Sequence, residues 1–162
     1  MDELPSVPAD KNADASPADA VRADAGSATK SRDEVPFEVG LNAEVRRRIT
    51  DGDTAQAIGS GDVPVLGTPQ LLALAEAATV AATARRLPSG MTTVGACVHV
   101  EHLAPTGVGR TVAAQATLAA VEGRRLIFEV SVTDGPVVVA RGHIDRVLVD
   151  RQAFVASAAD PR

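Results

Sequence analysis

The chain is poor in aromatic residues and in cysteine. Its 162 residues include three Phe, one Cys and neither Trp nor Tyr. Modules that stack nucleic-acid bases on exposed rings depend on aromatic side chains, so this class is disfavoured. The single Cys97 excludes an intramolecular disulfide framework and suits a reducing compartment. The core must therefore be built from Val, Leu, Ile and Ala.

Long apolar runs are missing too, and so is a strong charge of one sign outside the first 35 residues. No segment approaches the about 20 apolar residues of a membrane-spanning helix, and no basic region leads into an apolar run as export requires. The net charge is -5, and eight acidic and four basic side chains lie within residues 1–35. The nearly neutral remainder has no electrostatic footprint for DNA or RNA. We expect a cytoplasmic protein without nucleic-acid or membrane partners.

Composition divides the chain into three parts. Residues 1–35 mix Pro with Ala, Asp and Ser and contain no aromatic residue or Ile, which predicts a disordered acidic tail. Residues 36–155 are predicted to form one domain, since the chain is long enough for a single adequate core and 45% of its residues are apolar. The Ala-rich segment 156–162 is predicted to be a flexible carboxyl terminus.

Hydrophobic periodicity predicts one strand, one long helix and four further strands. Alternation from Phe37 to Val45 indicates the first strand. The helix is predicted to start at Thr68 and to run to about Leu87. The hydrophobic period then changes to two residues, which predicts four strands. The first covers residues 91–103, the second ends near residue 121, and the last two cover residues 124–133 and 136–150. This order is typical of an α+β fold.

The predicted helix carries a single ionisable side chain, Glu76, in the stretch from Val63 to Ala84. A helix that is apolar on every face is wrapped by protein, so we expect a curved antiparallel sheet of about five strands to embrace it. An ionised carboxylate without a partner is costly in such surroundings. We therefore expect Glu76 to be desolvated and kept for chemistry, with a hydrogen-bonded structural carboxylate as the alternative.

Three histidines lie in the predicted strands. In the strand 91–103 the even positions from Val94 are apolar, which places His102 on the core-facing side and His99 on the other. Because these two imidazoles point to opposite faces, a shared metal site is not expected. His143 is predicted to be a surface group. His102 is either a satisfied core residue or a catalyst.

Arg146 and Thr68 each allow two interpretations. Arg146 shares a strand face with Ile144 and Leu148, so its side chain either reaches the edge of the sheet or orients a carboxylate or an anionic substrate group. Thr68 either serves only as the helix cap or lies at a helix amino terminus whose free N–H groups stabilise an oxyanion.

Three sequence runs, taken together, resemble the fluoroacetyl-CoA thioesterase-like family of hot-dog proteins over about residues 36–155. They are GTPQLLALAEAA at 67–78, VGACVHVEHLAPT at 94–106 and VEGRRLIF at 121–128, followed by Arg146. The resemblance implies a hot-dog fold and a homodimer, possibly a higher oligomer, that hydrolyses an acyl-CoA thioester without metal or cofactor. It also implies that Thr68, Glu76 and His102 are catalytic and that Gly95 and Arg146 bind substrate.

Helix geometry constrains such a site. Thr68 and Glu76 are eight residues apart, which is about 12 Å along a helix. Their side chains cannot touch within one helix, so either the chain folds back at Thr68 or two subunits share the site. The resemblance to hot-dog thioesterases implies the second arrangement, and on that basis we predict a symmetric dimer with two equivalent sites at its interface.

The substrate is expected to differ from fluoroacetyl-CoA. The resemblance implies a lid before the helix with aromatic residues, whereas residues 51–67 contain none. A short or medium acyl chain on CoA or on a carrier protein is therefore expected. Two other classes stay open. One is a non-catalytic acyl-CoA-binding hot-dog module. The other is a hot-dog dehydratase or hydratase, whose Asp and His motif is not seen.

Overall fold

A computed structural model describes residues 35–159. In chain order the elements are β1 (Asn42–Arg48), α1 (Ala55–Ile58), α2 (Thr68–Thr83), β2 (Met91–His102), β3 (Thr111–Glu122), β4 (Arg125–Asp134), β5 (Val137–Asp150) and α3 (Arg151–Ala159). A 3-10 turn at Asp51–Asp53 precedes α1. Residues 1–34 of the predicted tail lie outside this range, as do residues 160–162. Between residues 35 and 159, none of the helices has the length and apolar character needed to cross a membrane.

The five strands form one antiparallel sheet in the order β1-β3-β4-β5-β2. Gly123 and Gly135 turn the chain between β3 and β4 and between β4 and β5, and both have positive φ angles. Glycine adopts this backbone conformation without a steric penalty. The prediction of an α+β fold with one long helix and five antiparallel strands is confirmed.

The core lies between α2 and one face of the sheet. In β3 and β4 every second side chain is buried, as expected for strands that present one face to a core. The buried apolar side chains of these strands are Val112, Ala114, Ala116, Leu118, Leu126, Phe128, Val130 and Val132. Leu71, Leu74, Ala75, Ala78 and Ala82 supply the apolar surface of α2 that faces them. This packing holds α2 against the sheet and thereby sets the positions of its polar side chains.

Helix α2 is not wrapped completely, contrary to the expectation for a helix that is apolar all round. Ala73, Ala77, Val80 and Ala81 are exposed, Val80 by 44%. A single sheet covers one side of a helix, so within one copy of the chain the opposite side faces solvent. The helix also ends at Thr83, four residues before the predicted end near Leu87.

Other element boundaries differ from the predictions at both ends of the domain. Strand β1 begins at Asn42 instead of near Phe37, because Gly40, with φ 92°, forms a turn just before it. Phe37 is nevertheless buried in the core. At the other end, α3 extends through residues 156–159, which were predicted to belong to a flexible terminus.

A β-bulge in β2 changes which side chains face the helix. The register against β5 shifts between Gly95 and Cys97. Before the bulge the odd positions Thr93 and Gly95 face α2, and after it the even positions Val100 and His102 do. The prediction that the even positions face the core along the whole strand is therefore wrong for Val94. A bulge adds one residue on one strand, which exchanges the two faces from that point onward.

Candidate active site

Thr68 is the first residue of α2, but it does not cap the helix. Gly67 occupies the cap position, and no side chain there accepts a hydrogen bond. A Cβ on Gly67 would meet Ile58 Cδ1 at 2.7 Å, so α1 packs too closely for a larger residue. The prediction that Thr68 caps the helix is wrong, and the consequence is chemical: the Thr68 hydroxyl is not engaged in capping.

This hydroxyl meets the imidazole of His102 instead. Thr68 Oγ1 lies 2.9 Å from His102 Nδ1, which brings the start of α2 to the end of β2. When the imidazole carries its proton on Nε2, the hydroxyl donates to Nδ1. His102 Nε2 is buried and has no partner within residues 35–159. A hydroxyl paired with an imidazole nitrogen at this distance is the arrangement of an activated nucleophile.

Glu76 lies two turns further along α2, beside Gly95 and Arg146. Its Oε1 is 3.6 Å from Arg146 Nη1. The carboxylate rests on the backbone of Gly95, since a Cβ at that position would overlap Oε1. The Glu76 side chain is 38% exposed in a single copy of the chain, so the expectation of a fully desolvated carboxylate is wrong for one protomer.

Arg146 does not reach the edge of the sheet. Its side chain is only 7% exposed and lies between β5 and α2. Arg146 Nε donates to Thr93 Oγ1 at 2.9 Å, Nη2 donates to Thr93 O at 2.7 Å, and Nη1 donates to Thr79 Oγ1 at 3.3 Å. Burial lowers the pKa of Arg146 from its ordinary value, and the nearby Glu76 carboxylate offsets this only in part. Sequence reasoning missed Thr79 and Thr93, whose only signal was a hydroxyl at positions otherwise filled by apolar residues.

The predicted site residues thus form two separate groups within one copy of the chain. Thr68 and His102 form the first, and Glu76, Gly95 and Arg146 form the second. No hydrogen bond or ion pair joins the two groups in the part of the chain that the structure describes. The chain does not fold back at Thr68, and this removes one of the two arrangements that helix geometry allowed.

An open pocket of about 300 Å³, with both apolar and polar side chains in its wall, borders the first group. Thr68 and His102 form part of its wall, the segment between α1 and α2 covers one side, and the chain after β2 covers the other. The remaining lining residues are Ala55, Ser60, Val63, Val65, Leu66, Leu103, Ala104 and Pro105. The wall contains no Phe, Tyr or Trp, so aliphatic side chains define its shape together with Ser60, Thr68 and the His102 imidazole.

Between residues 35 and 159, no three His, Cys, Asp or Glu side chains come together as metal ligands would. His99 and His143 lie on the face of the sheet opposite α2, where their rings stack with centroids 5.2 Å apart. His99 and His102 are thus on different faces, as the strand pattern predicted. His143 is exposed, in agreement with its prediction as a surface group.

Comparison with known proteins agrees with this architecture. The model of a family described as fluoroacetyl-CoA-specific thioesterase matches residues 49–152. The fluoroacetyl-CoA thioesterase of Streptantibioticus cattleyicolor is 37% identical over 92 residues, which span 57% of this chain and 66% of that protein.

Solved structures of thioesterase and hot-dog proteins also match this chain. A fluoroacetyl-CoA thioesterase structure matches with a TM-score of 0.72 at 29% identity, covering 77% of this chain and 98% of the other. A hot-dog-like protein from Thermanaerovibrio acidaminovorans matches with a TM-score of 0.70 at 26% identity over 78% of this chain and 96% of its own. The fold is the hot-dog fold, and the chain belongs to the fluoroacetyl-CoA-specific thioesterase family, a family of thioester hydrolases.

Proposed function

We propose that this chain hydrolyses the thioester of a short or medium acyl-CoA, or of the same acyl group on a carrier protein, at a site completed by two copies of the chain. One observation carries the proposal: Thr68 Oγ1 and His102 Nδ1 lie 2.9 Å apart at the amino terminus of α2, in the wall of an open pocket. Family membership supports thioester hydrolysis as the reaction class.

The geometry supports a two-step reaction. Thr68 Oγ1 attacks the acyl carbonyl carbon while His102 Nδ1 takes the hydroxyl proton, and His102 then returns this proton to the departing thiolate. The leaving thiol has a pKa of about 8–9, so it needs little acid assistance. The positive end of the α2 dipole, together with N–H groups near Gly95 of the second copy, stabilises the oxyanion. In the second step Glu76 takes a proton from a water molecule, the water oxygen attacks the acyl carbonyl carbon, and the proton passes to Thr68 Oγ1 as the carboxylic acid leaves.

A second copy is needed to bring Glu76 to this hydroxyl. Strand β2 is at the edge of the sheet, and the five consecutive residues from Gly95 to His99 are all exposed. An exposed edge of this length is a template for pairing with another strand. We propose that β2 pairs with β2 of a second copy in antiparallel orientation across a two-fold axis.

The residues that would lie opposite each other in a β2–β2 pair support this arrangement. With the bulge residue Ala96 left unpaired, Gly95 of one copy lies opposite Val98 of the other if the axis passes through Cys97, and opposite Val100 if it passes through Val98. At about 3.3 Å per residue, His102 is then about 13 Å or about 7 Å further along the strand. Since Glu76 rests on Gly95, its carboxylate comes near His102 of the other copy.

The pocket supports an aliphatic acyl group as substrate. Apart from Ser60, Thr68 and His102, its wall consists of small and branched apolar side chains, without the aromatic lid side chains that the family resemblance implies. A volume of about 300 Å³ leaves room for more than a two-carbon acyl group. We therefore propose selection for acyl chains longer than acetyl or fluoroacetyl.

A thiol-release assay over acyl-CoA esters of increasing length tests the activity and the substrate class. We expect turnover by the wild-type chain and loss of about 10²-fold or more in Thr68→Val, His102→Asn and Glu76→Gln. Glu129→Gln, an exposed carboxylate on the opposite face, is the matched control and should keep wild-type rates. Binding of acyl-CoA without thiol release by the wild-type chain would favour the binding module over the enzyme.

A complementation experiment tests whether two copies share the site. Thr68→Val and Glu76→Gln chains, each inactive alone, are unfolded together and refolded as a mixture. Random pairing puts both changes into one site of a mixed dimer and leaves the other site intact, so about a quarter of wild-type activity should return. No recovery from a mixture that contains mixed dimers would show that each site lies within one chain.

A further inference from the structure

We infer that Thr93 and Thr79 are positioning residues that hold the Arg146 guanidinium and, through it, the Glu76 carboxylate. The inference rests on the proposed function, because it assigns these threonines a part in the same site. Neither hydroxyl touches the pocket beside Thr68, so both act through Arg146.

A buried guanidinium needs acceptors for its N–H groups. Arg146 carries five N–H donors, and leaving them unpaired at 7% exposure would be costly. Thr93 engages one edge of the guanidinium with two oxygens: its Oγ1 accepts from Nε and its main-chain O accepts from Nη2. Two contacts to a rigid planar group set its orientation as well as its position.

Thr79 engages the other side of the guanidinium and links it to the helix that carries Glu76. Its Oγ1 accepts from Arg146 Nη1 at 3.3 Å and donates to Glu76 O at 2.7 Å. The same Nη1 faces Glu76 Oε1 at 3.6 Å. One hydroxyl therefore joins the guanidinium to the helical turn from which the carboxylate extends.

As a consequence, the Arg146 guanidinium is a fixed positive charge beside the Glu76 carboxylate. Glu76 is partly exposed and its flexible side chain has many accessible conformations, so its position against Gly95 depends on the Arg146 guanidinium next to it. Replacing either threonine by valine keeps the shape of the side chain and removes the acceptor. Thr79→Val removes the acceptor of Nη1, the nitrogen that faces Glu76, and Thr93→Val removes the acceptor of Nε, so in either variant the guanidinium is held by fewer contacts and Glu76 is oriented less well.

The helix provides a matched control. Thr83 lies one turn after Thr79 and is as fully buried, and its hydroxyl donates to the main-chain oxygens of Thr79 and Val80. Thr83 makes no hydrogen bond to Arg146. A purely structural role for a buried helical threonine would be the same at both positions, whereas a positioning role belongs to Thr79 alone.

The test compares Thr79→Val and Thr93→Val with Thr83→Val in the thiol-release assay. We expect kcat to fall about tenfold or more in the first two variants with KM within about twofold of wild type, because the lost contacts fix a catalytic group. Thr83→Val should keep kcat. Thr79→Ser and Thr93→Ser retain the hydroxyl and should restore most of the activity.

A second readout does not depend on activity. The ¹³C resonance of the Glu76 carboxyl carbon should move in Thr79→Val and stay unchanged in Thr83→Val. Wild-type chain that releases no thiol would refute the proposed function, while this resonance would still decide whether the threonines position Glu76. Equal losses in Thr79→Val and Thr83→Val, or wild-type kcat in folded Thr79→Val, would overturn the inference. If Thr93→Val does not fold, the comparison of Thr79→Val with Thr83→Val on α2 is sufficient to test the inference.

Discussion

Gly95→Ala should lower the rate of thiol release and leave the free energy of unfolding nearly unchanged. In the structure a methyl group at this position would overlap Glu76 Oε1, while the next nearest atom, Glu76 Cδ, would lie at an acceptable 3.7 Å. The methyl group therefore meets only the far end of a flexible side chain. The carboxylate must retreat, and the backbone of Gly95 need not change.

The magnitudes follow from this geometry. Oε1 has to retreat by about 1 Å, and a misplacement of that size costs about 10²-fold in rate. Because Glu76 is 38% exposed, its carboxylate can move toward solvent, and the free energy of unfolding should change by less than about 1 kcal/mol. Thiol release measures the first quantity and thermal or urea unfolding measures the second.

Gly142→Ala is the contrasting variant. A Cβ at Gly142 would overlap His99 O and lie 2.8 Å from Val100 Cα, which are main-chain atoms of the neighbouring strand. These atoms cannot move without disturbing the sheet, so we expect a loss of about 1–3 kcal/mol of stability. Stability should thus fall in Gly142→Ala and stay nearly constant in Gly95→Ala.

A double variant tests the cause. If the methyl group acts through Glu76, adding Gly95→Ala to Glu76→Gln should lower the rate little further, because neighbouring groups in one interaction are non-additive. The reasoning would be refuted by wild-type kcat/KM in Gly95→Ala or by a loss of stability like that of Gly142→Ala. Full additivity in the double variant would instead indicate that the methyl group blocks the substrate itself.

Other changes address the nucleophile, the acid stability and the edge strand. Thr68→Ser should retain measurable thiol release while Thr68→Val loses about 10²-fold or more; equal rates in both would remove the hydroxyl from the mechanism. Burial raises the pKa of Asp53, but hydrogen bonds from Thr50 N and Oγ1 together with the Arg47 guanidinium outweigh it and hold that pKa below its ordinary value of 3.8. Asp53 therefore stabilises the fold above about pH 4, and this contribution is lost as the pH falls further. Asp53→Asn should flatten the acid limb of a stability profile measured by urea unfolding, while the exposed Asp62→Asn should not. Val98→Lys at the exposed edge of β2 should weaken association in sedimentation experiments and lower activity with it; an active monomer would refute the shared site.

The strands and the helix were predictable from the sequence because their signals are local. The alternation in β3 and β4 and the glycine turns between the strands depend on neighbouring residues only, and both agree with the structure. The isolated charge of Glu76 also singled out α2, where the structure places Glu76 beside Gly95 and Arg146. The expectation that Glu76 is fully buried was wrong for a single copy. Hydropathy reports how strongly a helix avoids water, but not which of its sides remains uncovered.

Tertiary structure alone decided how the polar groups pair. Whether Thr68 caps α2 or meets His102 depends on α1 packing against Gly67, a contact between separate elements. The faces of β2 depend on a bulge that leaves no mark in the hydrophobic pattern. The clamp of Thr79 and Thr93 on Arg146 unites residues from α2, β2 and β5. Periodicity specifies which face of an element is buried, whereas the hydrogen bonds of a site depend on distances between elements that only the packed chain defines.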